Sequence, residues 1–149
     1  MKSFKECLEI DLKDHIQLKP TFYKDANGKM QQTAKDKWLD YVEWAVVLKL
    51  LYTECEAESV SFLSMPHPEK VGTLQIKMVI DGKEFLTDYP IINGNRVITT
   101  PTQMDIHIAE LRGFVKCVAI NTGLGLGLWM KEEAATTEPV KDKEKEVVD

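Results

Sequence analysis

The chain reads as α+β, an antiparallel hairpin sheet in a β-β-β-α core with helices on one face. Three observations predict it. A long helical pattern follows Thr100, a run with strict period two ends at Ile80, and Asp81-Gly82 separates that run from a second extended segment. Strands grouped in sequence and followed by a helix favour a sheet with helices on one face over a parallel α/β fold. At 149 residues, 44% hydrophobic with three Trp and five Phe, the chain has enough apolar material for one core.

The elements follow in chain order. Phe4, Leu8, Ile10, Leu12 and Ile16 among charges suggest a short helix or an extended segment docked on the core. Lys24 to Lys37 is polar, carries Asn27-Gly28 and lacks sustained periodicity, so it reads as a surface loop or a loose hairpin. Its four lysines make it the most basic stretch. Trp44, Val47, Leu48 and Leu51 recur at helical spacing and predict a helix over about Glu43 to Tyr52. Ser59 to Met65 has strand character. From Val71 to Ile80, Leu74, Ile76, Met78 and Ile80 alternate with Thr73, Gln75, Lys77 and Val79, a half-buried strand. Asp81-Gly82 suits a two-residue turn in which both positions take positive φ, and Lys83 to about Ile92 is the partner strand. Asn93-Gly94-Asn95 makes the next turn.

The last helix is predicted from Pro101 to Thr122, capped by Thr100 with Gln103 completing the box and ended by Gly123. Met104, Ile108, Leu111, Val115 and Val118 form its expected buried stripe, with Asp105, Arg112 and Lys116 on another side. Beyond Gly123 the Gly-Leu alternation looks strand-like, with Leu124, Leu126, Leu128 and Met130 on one face. Residues 1 to 130 are therefore expected to fold as one domain. Residues 131 to 149, with four Lys, seven Asp/Glu and little apolar content, are expected to be a disordered charged tail.

Composition narrows the function. Cys7, Cys55 and Cys117 are odd in number and widely spaced, which argues against a disulfide framework or zinc ribbon and for a reducing compartment. No apolar run approaches a membrane span, and Met-Lys-Ser-Phe-Lys runs into acidic residues, so a cytoplasmic protein is expected. A net charge of −5 argues mildly against nucleic acid. Residues 65 to 130, however, carry six charges of each sign and are neutral.

Three kinds of chemistry can be weighed. The Gly123, Gly125, Gly127 series follows a helix instead of opening one and lacks the Gly-Lys-Ser/Thr ending, so close packing explains it better than phosphate binding. His15, His67 and His107 are scattered without metal-ligand spacing, so no metal or cofactor is expected, and neither a nucleophile elbow nor an activated cysteine is legible. Arg112 and Lys116, four apart, are neighbours on one helix surface, where like charges repel by a few tenths of a kcal/mol. A solvated face beside Asp105 or Glu110 is the plainer reading; a row of nucleic-acid phosphates is the sharper one. Lys77, Lys83 and Arg96 would extend that track, and Trp38, Tyr41 and Trp44 would either stack on bases or enter the core.

The order Asp40-Tyr41-Val42-Glu43-Trp44-Ala45, Asp88-Tyr89-Pro90-Ile91-Ile92, Pro101 to His107, Arg112-Gly113-Phe114-Val115-Lys116-Cys117-Val118-Ala119 and Gly123-Leu124-Gly125-Leu126 resembles the Sak-type phage single-strand DNA annealing proteins. That family is similar to the annealing core of eukaryotic Rad-type recombination mediators. The resemblance spans about Phe4 to Trp129. Trp44, Ala45, Arg112, Lys116, Gly123 and Gly125 match the family pattern, while Glu43 stands for its usual Ser, His107 for a common Asn and Gly113 for a frequent Cys. It implies a non-enzymatic, phage-encoded recombination protein of the host cytoplasm that binds single-stranded DNA and anneals it. It also implies a homo-oligomeric ring or helical filament, with other recombination or single-strand-binding proteins as further partners. Phosphate contacts are expected at Arg112, Lys116 and Lys77. The alternatives are a protein-interaction module without DNA binding and a small enzyme for a phosphorylated ligand.

Overall fold

A computed structural model describes residues 1–93 and 96–130. In chain order its elements are α1 (Phe4–Leu8), β1 (Gln17–Lys19), β2 (Phe22–Lys24), β3 (Met30–Gln32), β4 (Leu39–Tyr41), α2 (Trp44–Thr53), β5 (Val60–Pro66), β6 (Thr73–Ile80), β7 (Lys83–Pro90), β8 (Ile92–Asn93), β9 (Arg96–Val97) and α3 (Gln103–Thr122). They divide into two compact units, one made of residues 1–11 and 43–126, the other of residues 12–42 together with the stretch that starts at residue 127.

The first unit is the α+β core. β5, β6 and β7 form an antiparallel sheet in that order. Register puts Ile80 opposite Lys83, Met78 opposite Phe85, Ile76 opposite Thr87 and Leu74 opposite Tyr89. The period-two pattern of β6 therefore works as the sequence predicts: Leu74, Ile76, Met78 and Ile80 are buried on one face. The hairpin turn also forms as expected, Asp81 at φ 50° and Gly82 at φ 82°. Asp81 does more than turn the chain, because its carboxylate accepts backbone N–H bonds from Glu58 at 2.8 Å and Ser59 at 2.9 Å, fixing the entry to β5.

Helix α3 lies on the buried face. It comes close at Gly113, where an added Cβ would sit 2.8 Å from Ile76 Cγ1 and 3.1 Å from Tyr89 Cβ. At the next residue, Phe114 stacks on Phe62 of β5 with ring centroids 4.2 Å apart, and Trp44 meets Phe62 edge-on at 6.4 Å. At its far end, Gly123 takes φ 91° and donates its N–H to Ala119, ending the helix as the sequence predicts. The chain of α1 crosses here so closely that a Cβ on Gly123 would lie 2.6 Å from the Phe4 carbonyl oxygen.

Three expectations are corrected. The cap of α3 is Thr102 with Asp105, not Thr100 with Gln103; Thr102 Oγ1 accepts from Asp105 N and Asp105 Oδ2 accepts from Thr102 N. The aspartate reaches back as a Glu or Gln would in the more familiar box. The buried stripe is also different. Of the expected residues Val118 is buried and Leu111 and Val115 are half-buried, but Met104 is 64% and Ile108 47% exposed, and Ala109, Gly113, Phe114 and Cys117 are buried instead. Close approach at Gly113 brings small residues into the contact face, which a search for large aliphatics passes over. Helix α2, by contrast, spans Trp44–Thr53, within one residue of its expected bounds, although its cap residue Glu43 makes no side-chain capping bond. Finally, the Gly-Leu segment is no strand: Gly125 has φ 80° and residues 126–130 are helical. The expected turn at Gly94-Asn95 and the expected tail from residue 131 lie outside the described residues.

The second unit contains two small antiparallel ribbons, β1 with β4 and β2 with β3. The loose hairpin expected after Lys24 is an ordered turn closed by Asp25, whose Oδ1 accepts from the N–H of Asn27 and of Lys29, both at 2.9 Å. Trp38 is fixed by its indole N–H, which donates to the Thr33 carbonyl at 3.1 Å.

Candidate nucleic-acid interface

The site forms where α3 crosses β7, the edge strand of the three-stranded sheet. Tyr89 belongs to the inward parity of β7 and is 5% exposed. Arg112, one residue before the close crossing at Gly113, donates from Nε to the Tyr89 hydroxyl at 3.2 Å. Lys116, one helical turn later, places its ammonium 5.8 Å from the centre of the same ring. Both cations are half-buried. Tyr89 thus takes a hydrogen bond from one and offers its π face to the other, which offsets part of the like-charge repulsion on the helix surface.

The acidic residues of α3 have partners of their own. Asp105 is engaged with the Thr102 backbone in the cap, and Glu110 accepts a hydrogen bond from Ser64 of β5. To the expected solvated face beside Asp105 or Glu110 the structure adds a tyrosine that contacts both cations. That aromatic was absent from the sequence-derived site. Its signal was available, because alternation from Phe85 through Thr87 assigns Tyr89 to the face that α3 covers.

The other expected cations do not join this pair. Lys77 lies on the opposite face of the sheet, across from Leu63 and Leu86, with its ammonium 3.5 Å from Glu84. It does not extend a track along α3. Lys83 stands at the exposed end of the β6–β7 hairpin, 5.4 Å from the Phe85 ring, and Arg96 is exposed in β9 opposite Asn93. Of the three aromatics, Trp38 is tied to the Thr33 carbonyl and Trp44 is half-buried against Phe62. Tyr41 sits in β4 with the Lys19 ammonium 4.9 Å from its ring.

Other chemistry has less to build on. Burial, and then the neighbouring Cys7, pushes the Cys55 thiol up to about 12, and burial raises Cys117 as well, so both stay protonated at neutral pH. His67 uses Nδ1 to accept the N–H groups of Glu69 and Lys70 in a turn. Among the described residues no three His, Cys, Asp or Glu side chains gather as a metal site. No helix there is long and apolar enough to cross a membrane. At Gly123, where a phosphate loop would need open space, the backbone of α1 is in contact.

Comparison with protein-family models, with curated proteins and with solved structures gives no match.

Proposed function

We propose that this chain is a non-enzymatic, phage-type recombination protein of the host cytoplasm that binds single-stranded DNA and promotes annealing as a homo-oligomer. The observation that carries the reading is the Arg112–Tyr89–Lys116 cluster: two half-buried cations, ordered by one tyrosine, at the edge of the sheet. Such a pair suits consecutive phosphates of a strand regardless of sequence. The antiparallel β5-β6-β7 sheet, followed after the short β8 and β9 by α3, supports this reading. Annealing needs no cofactor, since base pairing supplies the free energy and the protein only holds strands extended and near each other. Oligomerisation multiplies a weak site on a nearly neutral protomer into a strong one.

The test is annealing of complementary oligonucleotides, with binding followed by anisotropy across a salt series. Arg112→Ala with Lys116→Ala is expected to lower the slope of log K against log salt by about 1.4, at about 0.7 per phosphate contact, and to slow annealing while assembly persists. Normal annealing by the double variant at low salt would remove the site.

One observation favours a second reading, a protein-interaction module. The sheet face away from α3 leaves Leu63 49% and Leu86 56% exposed on either side of Lys77. A chain with no affinity for oligonucleotides at low salt would favour it.

A further inference from the structure

The β2–β3 ribbon exposes more apolar surface than its size explains. Phe22 is 54%, Met30 59% and Tyr23 40% exposed, on strands of three residues each. A two-stranded ribbon this short gains little stability from such side chains. Register sorts them: Phe22 pairs with Gln32 and Lys24 with Met30, so these four share one face, while Tyr23 and Gln31 share the other. On the first face the ring of Phe22 and the ammonium stem of Lys24 are two residues apart, about 7 Å along the strand. Lys29, next to Met30 at the turn, falls by the same alternation on the side of Gln31.

Charge identifies the occupant. Residues 12–42 hold six Lys against four Asp, a net +2 within a chain of −5. Within the hairpin the acid is Asp25, and its oxygens are directed inward to the Asn27 and Lys29 amides and the Gln31 side chain. An exposed ring with an ammonium group on the same face matches a strand that offers a base face and a phosphate together.

We propose that the ribbon face carrying Phe22, Lys24, Met30 and Gln32 is a second contact for single-stranded nucleic acid, with a base laid on Phe22 and a phosphate held by Lys24. The proposal rests on the DNA-binding reading above and adds a stacking element that the Arg112 and Lys116 site lacks.

The experiment uses the full chain and a labelled oligothymidylate, with anisotropy read across a salt series. Phe22→Leu keeps apolar bulk but removes the ring face and is expected to weaken binding about 5-fold or more, with Phe22→Trp restoring it. Lys24→Gln is expected to lower the salt slope by about 0.7. If the unaltered chain binds and Arg112→Ala with Lys116→Ala weakens it, yet the ribbon variants bind normally, the ribbon proposal fails and the DNA-binding reading stands. If the unaltered chain does not bind at low salt, both fail. Sedimentation with anionic vesicles that is lost in Phe22→Leu, with oligonucleotide affinity unchanged, would also overturn it in favour of a lipid surface.

Discussion

Gly123→Ala tests the packing logic of the core at its tightest point. Two costs add there. The backbone has φ 91°, a left-handed conformation that costs an L-residue about 1–2 kcal/mol. The new methyl would also lie 2.6 Å from the Phe4 carbonyl oxygen and 3.2 Å from the Leu8 nitrogen. Both are backbone atoms of the α1 segment, so no rotamer change relieves the clash; α1 must move off the end of α3, an overpacking cost of about 1–3 kcal/mol. The sum, about 2–5 kcal/mol, is a large share of the ~5–15 kcal/mol that holds a domain folded.

The assay is urea unfolding followed by tryptophan fluorescence and far-ultraviolet circular dichroism. With a slope near ~2 kcal/mol/M the midpoint should fall by about 1–2.5 M. Two other glycines separate the contributions. Gly82 has φ 82° and open space around its Cβ position, so Gly82→Ala should show the backbone cost alone. Gly127 also has open space and lies in the 126–130 helical stretch, so Gly127→Ala should be neutral or stabilise by up to about 1 kcal/mol. If Gly123→Ala loses no more than Gly82→Ala, the close approach of α1 contributes nothing and the packing argument is wrong.

Other outcomes follow from the same geometry. Thr102→Ala should cost about 1 kcal/mol in chemical denaturation through loss of the α3 cap, whereas Thr100→Ala should be nearly silent; the reverse ranking would restore the sequence-based boundary. Met104→Ala should change stability by less than about 0.5 kcal/mol and Phe114→Ala by about 3–5 kcal/mol, a contrast that thermal melts resolve. Tyr89→Phe should keep the fold within about 0.5–1.5 kcal/mol but weaken oligonucleotide binding, because Arg112 loses the hydroxyl that orders it. Asp81 has its carboxyl held below the ordinary 3.8, first by the Ser59 N–H and then by that of Glu58. Its contribution is therefore present above 3.8 and lost as pH falls through the depressed value. The melting-temperature gap between the unaltered chain and Asp81→Asn should be constant near neutrality and shrink in acid; a gap independent of pH would dismiss the carboxylate's role.

The hairpin was legible because its determinants are local. Alternation in β6 and two turn residues that tolerate positive φ are written in consecutive positions, and nothing distant has to be known to interpret them. Helix α3 was legible in length but not in orientation. Its hydrophobic periodicity points to Met104 and Ile108, yet the side that packs is chosen by what the sheet leaves room for, and Gly113 against Ile76 leaves room for no side chain. Ala109 and Gly113 carry almost no hydrophobic signal, so the part of the face defined by close approach is hidden from periodicity although Phe114 and Val118 on it are not. The Gly-Leu run failed for a related reason. Period two in leucines imitates a strand, but positive φ at Gly123 and Gly125 breaks the extended path before it can form.

The same distinction between local and tertiary information separates the two halves of the candidate site. That Arg112 and Lys116 are neighbours follows from helical spacing alone. What they do to each other depends on Tyr89, which is 23 residues away from Arg112 and reaches it only through the crossing at Gly113. Lys77 shows the opposite failure. It was grouped with the pair because it is basic and flanks the hairpin, but strand parity already assigns it to the face opposite Ile76 and Met78, which α3 covers. Parity is therefore the stronger guide to which charges can act together. Applied to the second unit, it also unites Phe22 with Lys24 and excludes Tyr23, so a nucleic-acid contact there must use Phe22 first. An oligonucleotide whose affinity responds to Tyr23→Leu and not to Phe22→Leu would contradict that assignment.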